Sequence, residues 1–241
     1  MTNDQFPMSN EGINYLNKRH LNWILVILSL VITAAGGFGC AKTVTPTNFG
    51  STMTVIVTLR GNADTLHNRY FMVLGSALPA LRIPLPFSQD LSDYEFLEPD
   101  VAPYGTAHSA DDYFNNFFNT WAGYLVLDNT NSYYLAHGPF ARGAAVARTP
   151  FAYFNGGNTL TFNFQLGQIY TSTAGVPANA YFDVVTVPWL TPGLKIAADH
   201  LTSSNYISTS SGTTKTFNGS DTYTAPADAS LDIQKVVVNI N

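Results

Sequence analysis

Cysteine is almost missing from this sequence: Cys40 is the only one among 241 residues, so no disulfide can form within the chain. A core of this size needs none. Charge is scarce as well, at 11% of residues against about 25% in an ordinary globular protein. The formal net charge of −5 gives no surface suited to phosphate, and nucleic acid is not an expected partner. Short catalytic signatures are also lacking. There is no His-Glu-x-x-His to hold a catalytic zinc. Gly75-Ser76 lacks the flanking spacing of a nucleophile elbow. The histidines at 20, 67, 108, 137 and 200 are scattered and read as surface or capping residues. These absences point away from an enzyme.

The N-terminus carries the clearest positive signal. Lys18, Arg19 and His20 precede the apolar run 21–35, and the small residues Ala34, Ala35, Gly36, Gly37 and Gly39 lead into Cys40. Cationic, apolar and small segments in that order form the layout of a secretory signal. Met8 offers a second possible start. Gly37-Phe38-Gly39-Cys40 resembles the lipobox of bacterial lipoproteins, with Gly39 as the small residue before the cysteine and Gly37 and Phe38 departing from the usual pattern. The resemblance implies diacylglycerol on Cys40, cleavage before it, and a cell-envelope location. Ala41 stands where such lipoproteins often carry an inner-membrane-retaining Asp, which implies the outer membrane. Two other readings remain open. Residues 21–39 are nearly the about 20 needed for an uncleaved membrane helix, and an ordinary signal peptidase could release a soluble product. All three readings export the remainder.

The domain boundaries follow: 1–39 as signal peptide or anchor, 40–51 as lipidated cysteine and polar tether, 52–241 as a single β domain. Met53, Val55, Val57 and Leu59 alternate with mostly threonine, as do Leu160, Phe162, Phe164 and Leu166 with polar residues, the period of half-buried strands. Further strands are expected at 69–74, 124–128, 133–137, 147–154, 181–187, 194–198 and 231–240. The apolar parity changes within the last of these, which predicts a bulge near Gln234–Lys235. Hairpins are expected across Gly61–Asp64, across Asn155-Gly156-Gly157-Asn158 and across Asn218-Gly219. Residues 202–216 read as an edge strand or loop. Short strands separated by turns predict a mainly β fold, an antiparallel β-sandwich-like domain with one short helix and a long Pro-rich loop.

That loop spans 79–108, where Pro79, Pro84, Pro86, Pro99 and Pro103 exclude a long helix or central strand. It leads into Ser109-Ala110-Asp111-Asp112, a capping-box-like helix start, with Tyr113, Phe114, Phe117, Phe118 and Trp121 following at helical spacing. The loop and helix are expected to form one unit beside the sheet. Two constellations suggest chemistry. Asp90, Asp93, Glu95, Glu98 and Asp100, with Asp111 and Asp112 beyond, are oxygen donors of the kind calcium takes; otherwise they form a hydrated acidic loop, or supply a glycosidase's two carboxylates. Tyr113, Phe117 and Trp121 head an aromatic cluster that either seals the helix onto the sheet or offers a stacking platform to a sugar. The function expected is a membrane-anchored envelope lipoprotein carrying a binding or structural module, with a protein or glycan partner. The alternatives are a secreted carbohydrate-active hydrolase and a subunit of a surface assembly.

Overall fold

The inter-sheet core is set by one strand. In β1 (Thr52–Leu59) the residues Met53, Val55, Val57 and Leu59 are buried while the threonines between them face outward. β6 (Thr159–Gln165) alternates in the same way. Their antiparallel register brings Met53 opposite Phe164, Val55 opposite Phe162 and Val57 opposite Leu160. On the other side of β1 lies β11 (Ile233–Ile240), with Val55 opposite Val238 and Val57 opposite Val236. Thr58 pairs with Lys235 but Leu59 with Ile233. Gln234 is therefore the extra residue of a bulge, and it allows Ile233 and Val236 to point the same way despite opposite parity. With β10 (Thr213–Asn218) at its far edge, this makes a four-stranded sheet in the order β10-β11-β1-β6.

The structure, a computed structural model, describes residues 50–75, 81–85, 94–172, 175–202, 205–223 and 226–241. They all lie within one unit, Asn48–Asn241. Among them no helix is long and apolar enough to cross a membrane. Residues 1–49, which hold the expected signal, Cys40 and most of the tether, lie outside the described residues, as do Asp90 and Asp93.

The second sheet contains β2 (Asn68–Gly75), β3 (Trp121–Leu127), β4 (Ser132–His137), β5 (Thr149–Tyr153), β7 (Asn179–Pro188) and β8 (Asp199–His200), in the order β5-β4-β3-β2-β7-β8. A short strand, β9 (Tyr206–Ser208), also pairs with β7. Every residue of β2 is buried. Tyr70, Met72 and Leu74 face the four-stranded sheet, while Phe71 and Val73 join a second core on the opposite face. A strand buried on both sides reads as a continuous apolar run rather than an alternating one.

The second core is covered by the Pro-rich segment and by α1 (Ala110–Asn116), the single α-helix among the described residues. Ile83, Tyr94, Phe96 and Leu97 from the segment, and Tyr113, Phe117 and Phe118 from the helical region, pack with Phe71, Val73, Tyr124, Val126 and Val185. The fold is thus mainly β, two antiparallel sheets with one short helix, and the loop-and-helix unit forms a third layer. Ser109 caps α1 reciprocally with Asp112: the Asp112 carboxylate accepts from the Ser109 backbone N–H at 2.7 Å.

Several local expectations are corrected. Trp121 does not end the helix; α1 stops at Asn116, a 3-10 turn covers Phe118–Thr120, and Trp121 opens β3. Gly61–Asp64 does not close a hairpin, because β1 and β2 belong to different sheets. Asp64 turns the chain there, its carboxylate accepting from the N–H groups of Leu66 and His67. Gly156 and Gly157 do turn the chain at φ +88° and +101°, but they carry it from β5 in one sheet to β6 in the other. Asn218-Gly219 opens a 3-10 turn closed by Asp221, whose carboxylate accepts from the Asn218 N–H; the partner of β10 is β11. The strand expected over 194–198 is a loop leading to the two-residue β8. Its Lys195 carbonyl accepts instead from the Phe96 N–H of the covering layer.

Candidate functional site

The covering layer holds the described members of the acidic cluster, and each is positioned by protein donors. Glu95 is only 1% exposed. One carboxylate oxygen accepts from the N–H groups of Tyr104 (2.7 Å) and Gly105 (3.0 Å), the other from the Lys195 N–H (3.1 Å). The Lys195 ammonium lies 4.0 Å away. A buried carboxylate is tolerable because these partners compensate it. Glu95 thereby fastens three chain segments together, and its own N–H donates to the Tyr113 hydroxyl.

Glu98 and Asp100 converge on a different cation. Arg148, just before β5, donates from Nε to Glu98 at 2.6 Å and from both terminal nitrogens to Asp100, at 3.1 and 2.5 Å. The Tyr124 hydroxyl of β3 donates to the same Glu98 oxygen at 2.7 Å. Burial pulls the Arg148 guanidinium down, but the Glu98 carboxylate, together with Tyr124 and Asp100, outweighs it and holds the group above its ordinary value. Burial first, and then the Glu98 charge, drive the Tyr124 hydroxyl far upward, so it stays a proton donor. Asp111 pairs with Arg142 at the surface, and Asp112 caps α1. Among the described residues no group of three or more His, Cys, Asp or Glu is arranged to hold a metal ion.

Tyr113, Phe117 and Trp121 are all buried. Tyr94 meets the rings of Tyr113 and Phe117 edge-on at 5.3 and 5.1 Å, and the Trp121 indole N–H donates to the Arg82 carbonyl at 2.8 Å. A stacking platform needs an exposed ring face, and these three rings are instead packing elements of the second core. His108 lies flat on Tyr94, centroids 3.5 Å apart.

A second polar cluster escaped sequence reasoning. Asp183, on the layer-covered face of β7, accepts from the Leu201 N–H at 3.1 Å. Asp199 accepts from the N–H groups of His200, Tyr223 and Ile233. His200 is buried, not a surface residue; it stacks on Tyr223 and its Nδ1 lies 2.8 Å from the Leu201 carbonyl. Burial drives the Asp183 carboxyl well above the usual range, and the nearby Asp199 charge adds to this against two backbone N–H groups. Burial also lowers His200. Asp183 and His200 thus engage the N–H and the carbonyl of Leu201 just after β8, while Asp199 ties β8 to Tyr223 and Ile233.

Comparison of the chain with protein-family models, with curated proteins and with solved structures finds no match.

Proposed function

We propose that this protein is an exported envelope lipoprotein, held by lipid on Cys40, whose β-sandwich is a binding or structural module and not a catalyst. The tethering half of the reading rests on the cationic, apolar and small-residue series that ends at the sole cysteine. The modular half is carried by one observation: Glu98 and Asp100 point at one guanidinium. A glycosidase instead directs two carboxyl groups at a substrate-sized gap. Glu95, likewise, is engaged on both oxygens.

The sheet edges favour a module over a subunit that exchanges strands. On the edge strand β10, Lys215 donates to the Tyr206 carbonyl and lies over the rings of Tyr206 and Phe217. The edge strand β5 carries Pro150. On β6, the Thr161 N–H is taken by the Tyr133 hydroxyl. Charge on an edge, proline on an edge and capped edge groups all discourage pairing with another chain.

Palmitate labelling with intact mass measurement tests the tether. Wild-type protein extracted from membranes should carry the diacylglyceryl mass on a chain beginning at Cys40, and Cys40→Ser should lose both label and processing. Labelling that persists in Cys40→Ser defeats the reading.

A further inference from the structure

Large aliphatic side chains are exposed at one pole of the domain, and they come from separate loops. Leu66 is 70% exposed in the β1–β2 connection, Leu190 and Leu194 are 52% and 48% exposed after β7, and Tyr104 is 57% exposed in the covering layer. Contacts join the loops that carry them. The Trp189 N–H donates to the His67 carbonyl at 2.7 Å, which sets Leu190 beside the Leu66 turn. A Cβ on Gly105 would stand 3.1 Å from Leu194 Cδ2, which sets Leu194 beside Tyr104.

The surroundings select the occupant. Residues 101–107 and 188–194 contain no charged side chain. Glu95 and Lys195, which adjoin these loops, are buried and face each other, and Asp100, next to Val101, is paired with Arg148. Trp189 is half-buried, with the Arg69 guanidinium 5.6 Å and the Lys195 ammonium 5.4 Å from its ring. Bringing these two loops into an apolar medium therefore strips water from no exposed ion of theirs, while the exposed Asp64–His67 pair flanking Leu66 places that residue at the rim, at headgroup depth. Leucines are under-represented among the residues that dominate protein–protein contacts. Aliphatic tips above a tryptophan instead match the order of side chains at a membrane interface, hydrocarbon outermost and the amphipathic ring behind it.

We propose that this pole inserts into a lipid bilayer through Leu190, Leu194 and Tyr104, with Leu66 at its rim, by attraction to the acyl region and not to headgroup charge. The inference builds on the membrane-tether reading, and its test separates the two. Leu66→Cys, Leu190→Cys and Leu194→Cys, with Thr216→Cys on the outer face of the four-stranded sheet as control, are made in the full chain. Each is labelled with a nitroxide and reconstituted into phosphatidylcholine vesicles. Acylated Cys40 takes no label, so labelling of the parent protein reports failure of the tether alone. At the three leucine sites, accessibility to oxygen should rise and accessibility to a water-soluble nickel chelate should fall relative to Thr216, equally at low and high salt. Nickel accessibility matching the control at all three sites overturns the proposal. So does spin–spin broadening between copies, which would make a second copy of the chain the occupant. Three sites on two loops keep the test standing if one variant misfolds.

Discussion

Arg148 and Asp100 meet through two hydrogen bonds, both terminal guanidinium nitrogens of the arginine reaching the two oxygens of the carboxylate. The third donor, Nε, is spent on Glu98. One side chain preceding β5 thus pins the covering layer at two points.

Arg148→Ala should destabilise the domain by about 2–4 kcal/mol, since it leaves two partly buried carboxylates without their cation. Arg148→Lys should recover less than half, because an ammonium has no fork to span both acids. Urea denaturation measures both. If Arg148→Ala costs under about 0.5 kcal/mol, the pair behaves as an ordinary surface bridge.

Phe117→Ala should cost about 3–5 kcal/mol, the usual range for removing a fully packed ring. Phe117 is 1% exposed and touches Tyr94 edge-on. A loss below about 1 kcal/mol would show the second core to be loosely packed, and would return the ring to the set of possible ligand contacts.

Asp183 sets a pH dependence of definite sign. Its folded-state pKa is raised, so the folded protein retains a proton that the unfolded chain releases. The contribution of this group to stability is full below the unfolded value near 3.8, and it declines as pH rises toward the folded value. Asp183→Asn keeps the acceptor for the Leu201 N–H and removes the titration. It should melt higher than wild type at neutral pH, with the difference vanishing near pH 3. A variant that melts lower than wild type at pH 7 would show that the carboxylate is ionised in the fold.

Calcium bears on the acids of the covering layer. Glu95, Glu98 and Asp100 already accept from protein donors, and an ion would have to displace Lys195 or Arg148 contacts to reach them. Melting midpoints in chelator and in millimolar calcium should coincide. A higher midpoint in calcium would bring Asp90 and Asp93 into play as ligands, because a ligand that binds only the folded state raises its stability by mass action.

Sequence pattern reads out where a side chain alternates with solvent and fails where the partner is remote. The alternation of Met53 to Leu59 and of Leu160 to Phe164 was legible because each strand has one wet face. The bulge at Gln234 was legible because parity cannot change without an extra residue. The turns at Asp64, Gly156 and Gly219 were legible as turns, but turn chemistry does not state which sheet the chain enters next. Glu95 and Lys195 stand 100 residues apart, and Glu98 and Arg148 stand 50 apart. No local signal links such pairs, so the acids read as a free cluster until their cations were placed. Asp183 gives no signal for the same reason, and adjacency to His200 says nothing of the role of Asp199, since the partners of both acids are backbone N–H groups, which the sequence does not distinguish.

The central position of β1 between β6 and β11 governs when folding can finish. Among the described residues Thr52–Leu59 is the earliest strand in the chain, and Ile233–Ile240, which supplies one whole side of its hydrogen bonding, is the latest. The four-stranded sheet stays open along β1 until residue 240 has emerged, whether from a ribosome or from a translocation pore. Contacts this distant in sequence slow folding because the loop must close before any bond rewards it. Until Ile233–Ile240 has been delivered, β1 has only β6 to pair with, and the sheet cannot close.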